Sequence, residues 1–315
     1  MSGAPPGSRP DSDELILAQF EAGRPRGLAR AISRAEAGRG APLMHALFER
    51  TGGALTVGLT GPPGVGKSTL CSALVAVARA AGKTVGVISV DPSSPFSHGA
   101  ILGDRIRLTE HFTDPDVFIR SMASRGHLGG LAGATGDAVA FMEAFGKDLV
   151  VVETVGVGQS EVEIAELADT TVVVLQPGSG DSVQLLKAGI LEVADIFVVN
   201  KSDHPMALQL RREIRAMLEM AESRGWIPEL ISTQASDGSG VAELWDAILR
   251  HAAYLRESGE LASRRRGALA HRVRSLVIGQ VERDVDSRIE RILDTPAQRS
   301  RDPYRIASDI VSEML

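Results

Sequence analysis

Leu55-Thr56-Val57-Gly58-Leu59, followed after one residue by Gly61-Pro62-Pro63-Gly64-Val65-Gly66-Lys67-Ser68-Thr69, decides the fold. An apolar, partly β-branched run that ends in G-x-x-x-x-G-K-[ST] is a strand feeding a phosphate-cradling loop and then a helix. The glycines let successive backbone N–H groups turn toward phosphate oxygens, Lys67 spans the β- and γ-phosphates, and the Ser68 hydroxyl binds Mg²⁺. Such a loop specifies a nucleoside triphosphate without naming its base.

The base is named further along the chain, where Asn200-Lys201-Ser202-Asp203 follows a second apolar run. A carboxylate closing N-K-x-D accepts from both the N1 and N2 protons of guanine, a donor pair that adenine lacks. Taken as buried, that carboxylate costs about 1–3 kcal/mol if left unpaired, enough to discriminate against ATP.

Between and around these motifs, short apolar runs alternate with amphipathic stretches from about residue 55 to 257. Strands are expected at Leu55 to Leu59, Thr84 to Val90, Val117 to Ile119, Leu149 to Val152, Thr171 to Leu175, Ile196 to Val199 and Leu230-Ile231. Nearly continuous apolar strands separated by helices predict an α/β fold, a P-loop NTPase with a mostly parallel sheet flanked by helices. Ligands of such sheets bind beyond the carboxyl ends of the strands, and both nucleotide motifs begin within a residue or two of such an end.

Four segments are expected. Residues 1–12, rich in Pro, Gly and Ser, read as a disordered start, and 13–50 as two helices broken near Gly23-Arg24-Pro25, with Leu28, Ala31, Ile32 and Ala35 at helical spacing. Residues 51–257 form the nucleotide domain. Residues 258–315 form a helical tail, in which Leu269, Val273, Leu276, Val277 and Val281 make an apolar stripe after Arg264-Arg265-Arg266, with a last helix after Pro303. Too small to fold alone, this tail is expected to pack on the core or on another copy.

The 315 residues carry a net charge of -6 and 43% hydrophobic content. That balance argues for a soluble globular protein and against general binding to nucleic acid or anionic membrane, which needs clustered Lys and Arg. No apolar run reaches the ~18 residues that span a bilayer, and MSGAPPGSRP lacks the order of a secretory signal, so the expected location is cytoplasmic. The single cysteine, Cys71, excludes an internal disulfide and reads as a buried apolar filler.

Phosphate-bound Mg²⁺ asks for Ser68 plus one or two carboxylates at neighbouring strand ends. Two strands end in an acid: Val87-Ile88-Ser89-Val90 runs into Asp91, and Leu149 to Val152 runs into Glu153. Glu153-Thr154-Val155-Gly156 stands where D-x-x-G switches stand, with the Gly156 amide sensing the γ-phosphate and Glu replacing Asp. Asp104, in Gly103-Asp104-Arg105, lies where a first switch is expected. Val157 occupies the place of the Gln that orients the attacking water in many GTPases, and Gln159 is two residues too far on, so intrinsic turnover is expected to be slow.

Longer stretches carry a resemblance. Val90-Asp91-Pro92-Ser93-Ser94-Pro95-Phe96, Gly99 to Arg105, Arg120-Ser121-Met122, Gly126 to Gly130, Glu153 to Glu161, Gln176 to Asp181 and Asp302-Pro303-Tyr304 together resemble the MeaB/ArgK family of P-loop GTPases. The likeness also takes in Arg26 to Ile32 and so nearly the whole chain from residue 15. It implies a homodimer made through the C-terminal helices and a partner that is an adenosylcobalamin-dependent acyl-CoA mutase, whose cofactor loading, protection and repair are gated by GTP. Carried over position by position, it implies that Lys67, Asp91, Asp104 and Glu153 surround the phosphates and Mg²⁺, and that Asn200, Lys201 and Asp203 hold guanine. Gln234-Ala235 falls where the family has Ser-Ala, with the Ala235 amide toward guanine O6, and Gln176 to Lys187 corresponds to a third mobile segment. His127 stands alone in a glycine-rich loop, and the Asp-x-His-x-x-Gly of cobalamin-binding mutases is absent. The alternatives weighed are a metal-insertion GTPase, which needs a Cys and His cluster that the sequence lacks, and a kinase or transport ATPase, which Lys201 and Asp203 oppose.

Overall fold

The structure, a computed structural model, describes residues 12–92, 104–124, 132–154, 160–180, 192–220, 225–294 and 301–314. Seven strands form one sheet: β1 (Leu55–Thr60), β2 (Val85–Pro92), β3 (Val117–Ser124), β4 (Leu149–Thr154), β5 (Thr170–Leu175), β6 (Ile196–Val199) and β7 (Glu229–Ser232). Every neighbouring pair is parallel, in the order β3-β2-β4-β1-β5-β6-β7. All seven expected strands are present. The runs of the five inner strands, β2, β4, β1, β5 and β6, are buried on both faces, which is why they lack polar alternation, whereas the edge strands β3 and β7 are half-buried.

Alternate residues of each strand feed two cores. Val57, Leu59 and Val151 pack with Leu70, Leu74 and Val75 of helix α4 (Lys67–Ala80) and with Leu244 and Ile248 of a later helix, Val241–Glu257. On the other face Ile88, Val150 and Val152 meet Phe141 and Met142 of α5 (Ala132–Ala144) and Ile164 of α6 (Ser160–Leu167). Each such side chain fully removed from water contributes about 1.5–3 kcal/mol. Cys71 lies in the first of these cores, where burial and then the nearby Glu153 charge push its thiol well above the ordinary range, leaving it inert.

Three helices, rather than two, precede the sheet: α1 (Asp13–Glu21), α2 (Pro25–Glu36) and α3 (Ala41–Leu47), with a 3-10 turn at Phe48–Arg50. Gly38 makes the extra break. At φ +69 it closes α2, with Gly38 N–H donating to Ala35 O at 2.9 Å and Arg39 N–H to Arg34 O at 2.8 Å, a Schellman arrangement. Ile16, Phe20, Leu28 and Ile32 of α1 and α2 join the core beneath α5.

After β6 come α7 (Ala207–Met220), α8 (Val241–Glu257), the 34-residue α9 (Glu260–Leu293) and α10 (Pro303–Met314). The base of α9 is fastened by four side chains, two at the amino edge of the sheet and two on the helices beside it. Arg264 makes two hydrogen bonds, at 2.8 and 2.7 Å, to Asp195 just before β6, and Arg265 makes two, at 2.9 and 2.8 Å, to Asp169 just before β5. His271 Nδ1 lies 2.7 Å from Glu166 of α6, and Arg272 pairs with Asp137 of α5. Pairs 264/265 and 271/272 are two helical turns apart and so share one face. The two aspartates also hold the sheet itself: Asp169 accepts the Thr56 N–H at 3.0 Å and Asp195 the Thr171 N–H at 2.8 Å. No helix among the described residues is long and apolar enough to cross a membrane.

Candidate functional site

The strand order reverses beside β1, so the segments leaving β1, β4, β5 and β6 converge at one carboxyl edge. Leaving β1, the chain turns sharply at Gly61 (φ +142), where an added Cβ would stand 2.0 Å from Val174 O, and again at Gly64 (φ +78). It enters α4 through Gly66 (φ +93), where an added Cβ would stand 2.5 Å from the Asn200 side-chain nitrogen. Only glycine meets both conditions there, left-handed backbone and close approach. The opening N–H groups of α4 thus point into the loop Gly61 to Gly66, a ready anion site reinforced by the helix dipole.

Lys67 and Ser68 are buried at 6% and 7% exposure. The Lys67 ammonium donates to Gly61 O at 2.7 Å and Pro62 O at 2.8 Å, so it lies within the curl of the loop, as a buried cation requires. Ser68 Oγ donates to Glu153 Oε1 at 2.5 Å. Glu153 is itself 6% exposed and is held in register beside Leu59 of β1 and Ser89 of β2. A hydroxyl and a carboxylate from opposite ends of the motif set therefore meet at the sheet edge. An all-oxygen pair of this kind suits a hard dication such as Mg²⁺.

Asp91 lies in β2 next to Ala123 of β3, two positions beyond the residue paired with Glu153, hence on the same edge. Asp104 opens a 3-10 stretch, Asp104–His111, that is joined to α4 by the His111 ring against Ser72 Oγ at 2.9 Å. Gly156, Val157, Gln159 and His127 lie outside the described residues.

The second motif closes over the first. Asn200, 2% exposed, donates from Nδ2 to Val65 O at 2.8 Å and accepts at Oδ1 from Thr233 Oγ1 at 3.0 Å and from the Ala235 N–H at 3.1 Å. Lys201 Nζ donates to Gly64 O at 3.0 Å and to Gln176 Oε1 at 2.5 Å. One asparagine thus ties the phosphate loop, the β6 end and the segment after β7 into a single unit. The Ala235 amide, expected from the resemblance to face guanine O6, is directed here to Asn200. Gln234 pairs with Ser239 across a short bridge that shapes the same turn.

Two features were not legible in sequence. The guanine reading expects a buried acid at Asp203, yet in the chain by itself it is exposed, because it sits in the turn beyond the last β6 residue. Thr233, fully buried, supports Asn200 from just beyond β7, a strand whose brevity gives no hint of a role. A polar residue just past the strand after N-K-x-D is the signal that could have found it.

A family model described as methylmalonyl Co-A mutase-associated GTPase MeaB matches residues 28–290. The chain belongs to the MeaB family. A Pyrococcus horikoshii protein named as a GTPase is 50% identical over 260 residues, 81% of this chain and 82% of that one. A Mus musculus protein named methylmalonic aciduria type A homolog, mitochondrial, is 39% identical over 214 residues, 66% of this chain and 52% of that one. Among solved structures, an LAO/AO transport system kinase shares the fold with a TM-score of 0.69 at 26% identity, covering 96% of this chain and 97% of that one. As a member of the MeaB family the chain is a P-loop GTPase that binds guanine nucleotide.

Proposed function

We propose that the chain binds GTP between the phosphate loop and Asn200-Lys201-Ser202-Asp203, hydrolyses it, and uses the cycle to regulate an adenosylcobalamin-dependent acyl-CoA mutase. The observation that carries the nucleotide part is the interlock of Asn200 with Val65 and of Lys201 with Gly64. It supports one ligand spanning both motifs, with phosphates at Gly61, Pro62, Pro63, Gly64, Val65, Gly66, Lys67, Ser68 and Thr69, and with the base at Asn200, Lys201, Asp203, Gln234 and Ala235.

In this reading the loop amides and Lys67 neutralise charge on the β- and γ-phosphates, which is most of what catalysis of phosphoryl transfer requires. Ser68 and Glu153, with Asp91 and Asp104, would hold Mg²⁺. When bound, the ion shields phosphate charge and orients its oxygens. Glu153 is the penultimate residue of β4, ahead of the segment that leads into α6, so a contact at the γ-phosphate bears directly on a chain that leaves the site. The Gly156 amide is the group proposed to sense that phosphate. The mutase partner is supported by the family's description and by the mouse relative's name.

Asp203 sets the base. Asp203→Asn should weaken GTP binding by about tenfold to a hundredfold, the loss expected for hydrogen bonds to a charged group, and should admit xanthosine triphosphate, whose base exchanges a donor for an acceptor. Competition of both triphosphates against labelled GDP checks this, and an unchanged preference for GTP would end the assignment. The competing kinase or ATPase reading requires ATP to displace GDP as well as GTP does. Co-purification with a cobalamin mutase, followed by GTPase assay with and without it, tests the partner.

We further propose the 258–315 tail as a homodimerisation element. Leu269, Val273, Leu276, Val277 and Val281 of α9 are 45–56% exposed along one stripe, on a helix with no buried residue. A second copy would cover that stripe. Leu276→Asp should then shift the protein toward monomer in light scattering at micromolar concentration, with the melting temperature of the sheet domain little changed; a dimer persisting in that variant would count against the stripe.

A further inference from the structure

We propose that Gln176 is a positioning residue for base recognition, acting through Lys201; this rests on the guanine reading of Asn200-Lys201-Ser202-Asp203. Lys201 is unusual in two respects. Among the described residues it is the one non-glycine position with left-handed backbone, φ +55. Such a conformation persists only where the surroundings impose it. They do so here through Ser202 N–H to Thr233 O at 3.1 Å, Asn200 N–H to Leu175 O at 2.8 Å, and His204 N–H to Lys201 O at 3.0 Å.

The side chain is fixed as firmly as the backbone. Its ammonium is pinned between Gly64 O at 3.0 Å and Gln176 Oε1 at 2.5 Å, although the residue is exposed. An exposed lysine otherwise keeps most of its rotamer freedom, and that freedom is lost when a ligand packs on the stem. Here two acceptors hold the four-carbon stem stretched from the β6 end toward the phosphate loop, two residues from the acid that reads the base. The stem is thereby a pre-set apolar wall on which a flat purine can lie.

Gln176 is suited to this because it stands at a strand end rather than at a loop tip. It directly follows Leu175, the last residue of β5, which is in register with Val199 of β6 and accepts the Asn200 N–H. The glutamine is therefore anchored to the strand end from which the base motif departs. Just beyond it, an added Cβ on Gly178 would touch His204 at 3.5 Å, so the turn that follows Gln176 lies against the base loop as well.

The test separates base from phosphate. Gln176→Leu removes the acceptor at similar volume, and Gln176→Glu keeps one. Affinity for GDP and for inorganic pyrophosphate is measured by displacement of a fluorescent guanine nucleotide, together with KM and kcat for GTP. Gln176→Leu should weaken GDP by about fivefold to tenfold, as expected for one hydrogen bond to a charged group. Pyrophosphate affinity should stay within twofold, and the loss should appear in KM rather than kcat. Gln176→Glu should restore GDP binding to within twofold of the parent. Equal weakening of GDP and pyrophosphate, or no change in GDP, would overturn the inference while leaving a parent protein that still prefers GDP to ADP. A parent protein that binds ADP as tightly as GDP would overturn the guanine reading and this inference together.

Discussion

Lys67→Ala should cut GTP turnover by about 10²–10³-fold, the loss typical of removing one preorganised charge-stabilising donor. The expectation follows from where the ammonium sits. It is 6% exposed, donates to Gly61 O and Pro62 O, and occupies the inside of a loop whose backbone is fixed by glycines that admit no side chain. A cation placed there needs little rearrangement to meet phosphate oxygens, and the surroundings screen it poorly. Removing it also strips two carbonyls of their donor, at about 1–3 kcal/mol each if no water replaces it. Part of any loss could therefore be structural, so thermal unfolding must be followed beside phosphate release. A folded variant with turnover within twofold of the parent would remove Lys67 from the site.

Asp195→Asn is expected to have the largest effect on stability, about 3 kcal/mol, the lower end of the cost of breaking a buried ion pair. Its carboxylate accepts two hydrogen bonds from Arg264 and one from Thr171 N–H, and lies 3.3 Å from Nε2 of the fully buried His251. An amide presents donors where three donors already converge. The lower end applies because Arg264 is a third exposed and can turn its guanidinium to water, whereas His251 cannot. Urea unfolding of the two proteins measures the difference.

The same pair carries a pH signature. Burial alone would raise the Asp195 carboxyl, but the His251 ring 3.3 Å away and the hydrogen bonds from Arg264 outweigh it and hold the group below its ordinary value of 3.8. A carboxyl depressed in the folded state contributes stability that is complete above its unfolded pKa and lost as pH falls through the folded one. The gap between parent and Asp195→Asn should hence be full at neutral pH and narrow below about pH 4. A gap that is constant down to pH 2 would show that the charge contributes nothing.

What sequence fixed here, and what it left open, divides by range. The five inner strands could be read because each is a local run of buried, mostly β-branched residues, the pattern that a parallel sheet imposes, and the half-buried edge strands β3 and β7 still carry short apolar runs. The phosphate loop could be read because its chemistry is written in neighbouring residues: glycines where the backbone must be left-handed, then Lys67 and Ser68 on the first turn of α4. The break at Gly38 escaped because one glycine in a helical pattern does not announce a Schellman turn.

Distance in sequence hid the rest. That Asn200 reaches Val65 across 135 positions, or that Ser68 meets Glu153 across 85, depends on β1 lying between β4 and β5, and strand order is not encoded in any local stretch. Arg264-Arg265-Arg266 reads as part of a charged tail for the same reason. Only when α9 crosses the amino edge do Asp169 and Asp195, each just ahead of its strand, come within reach of the guanidiniums. The sequence by itself determined the elements and the ligand chemistry, since both arise from residues a few bonds apart. Tertiary structure alone decided which charges are paired, which acid is exposed and which lysine is pinned, because those depend on distances through space between segments that the chain keeps far apart.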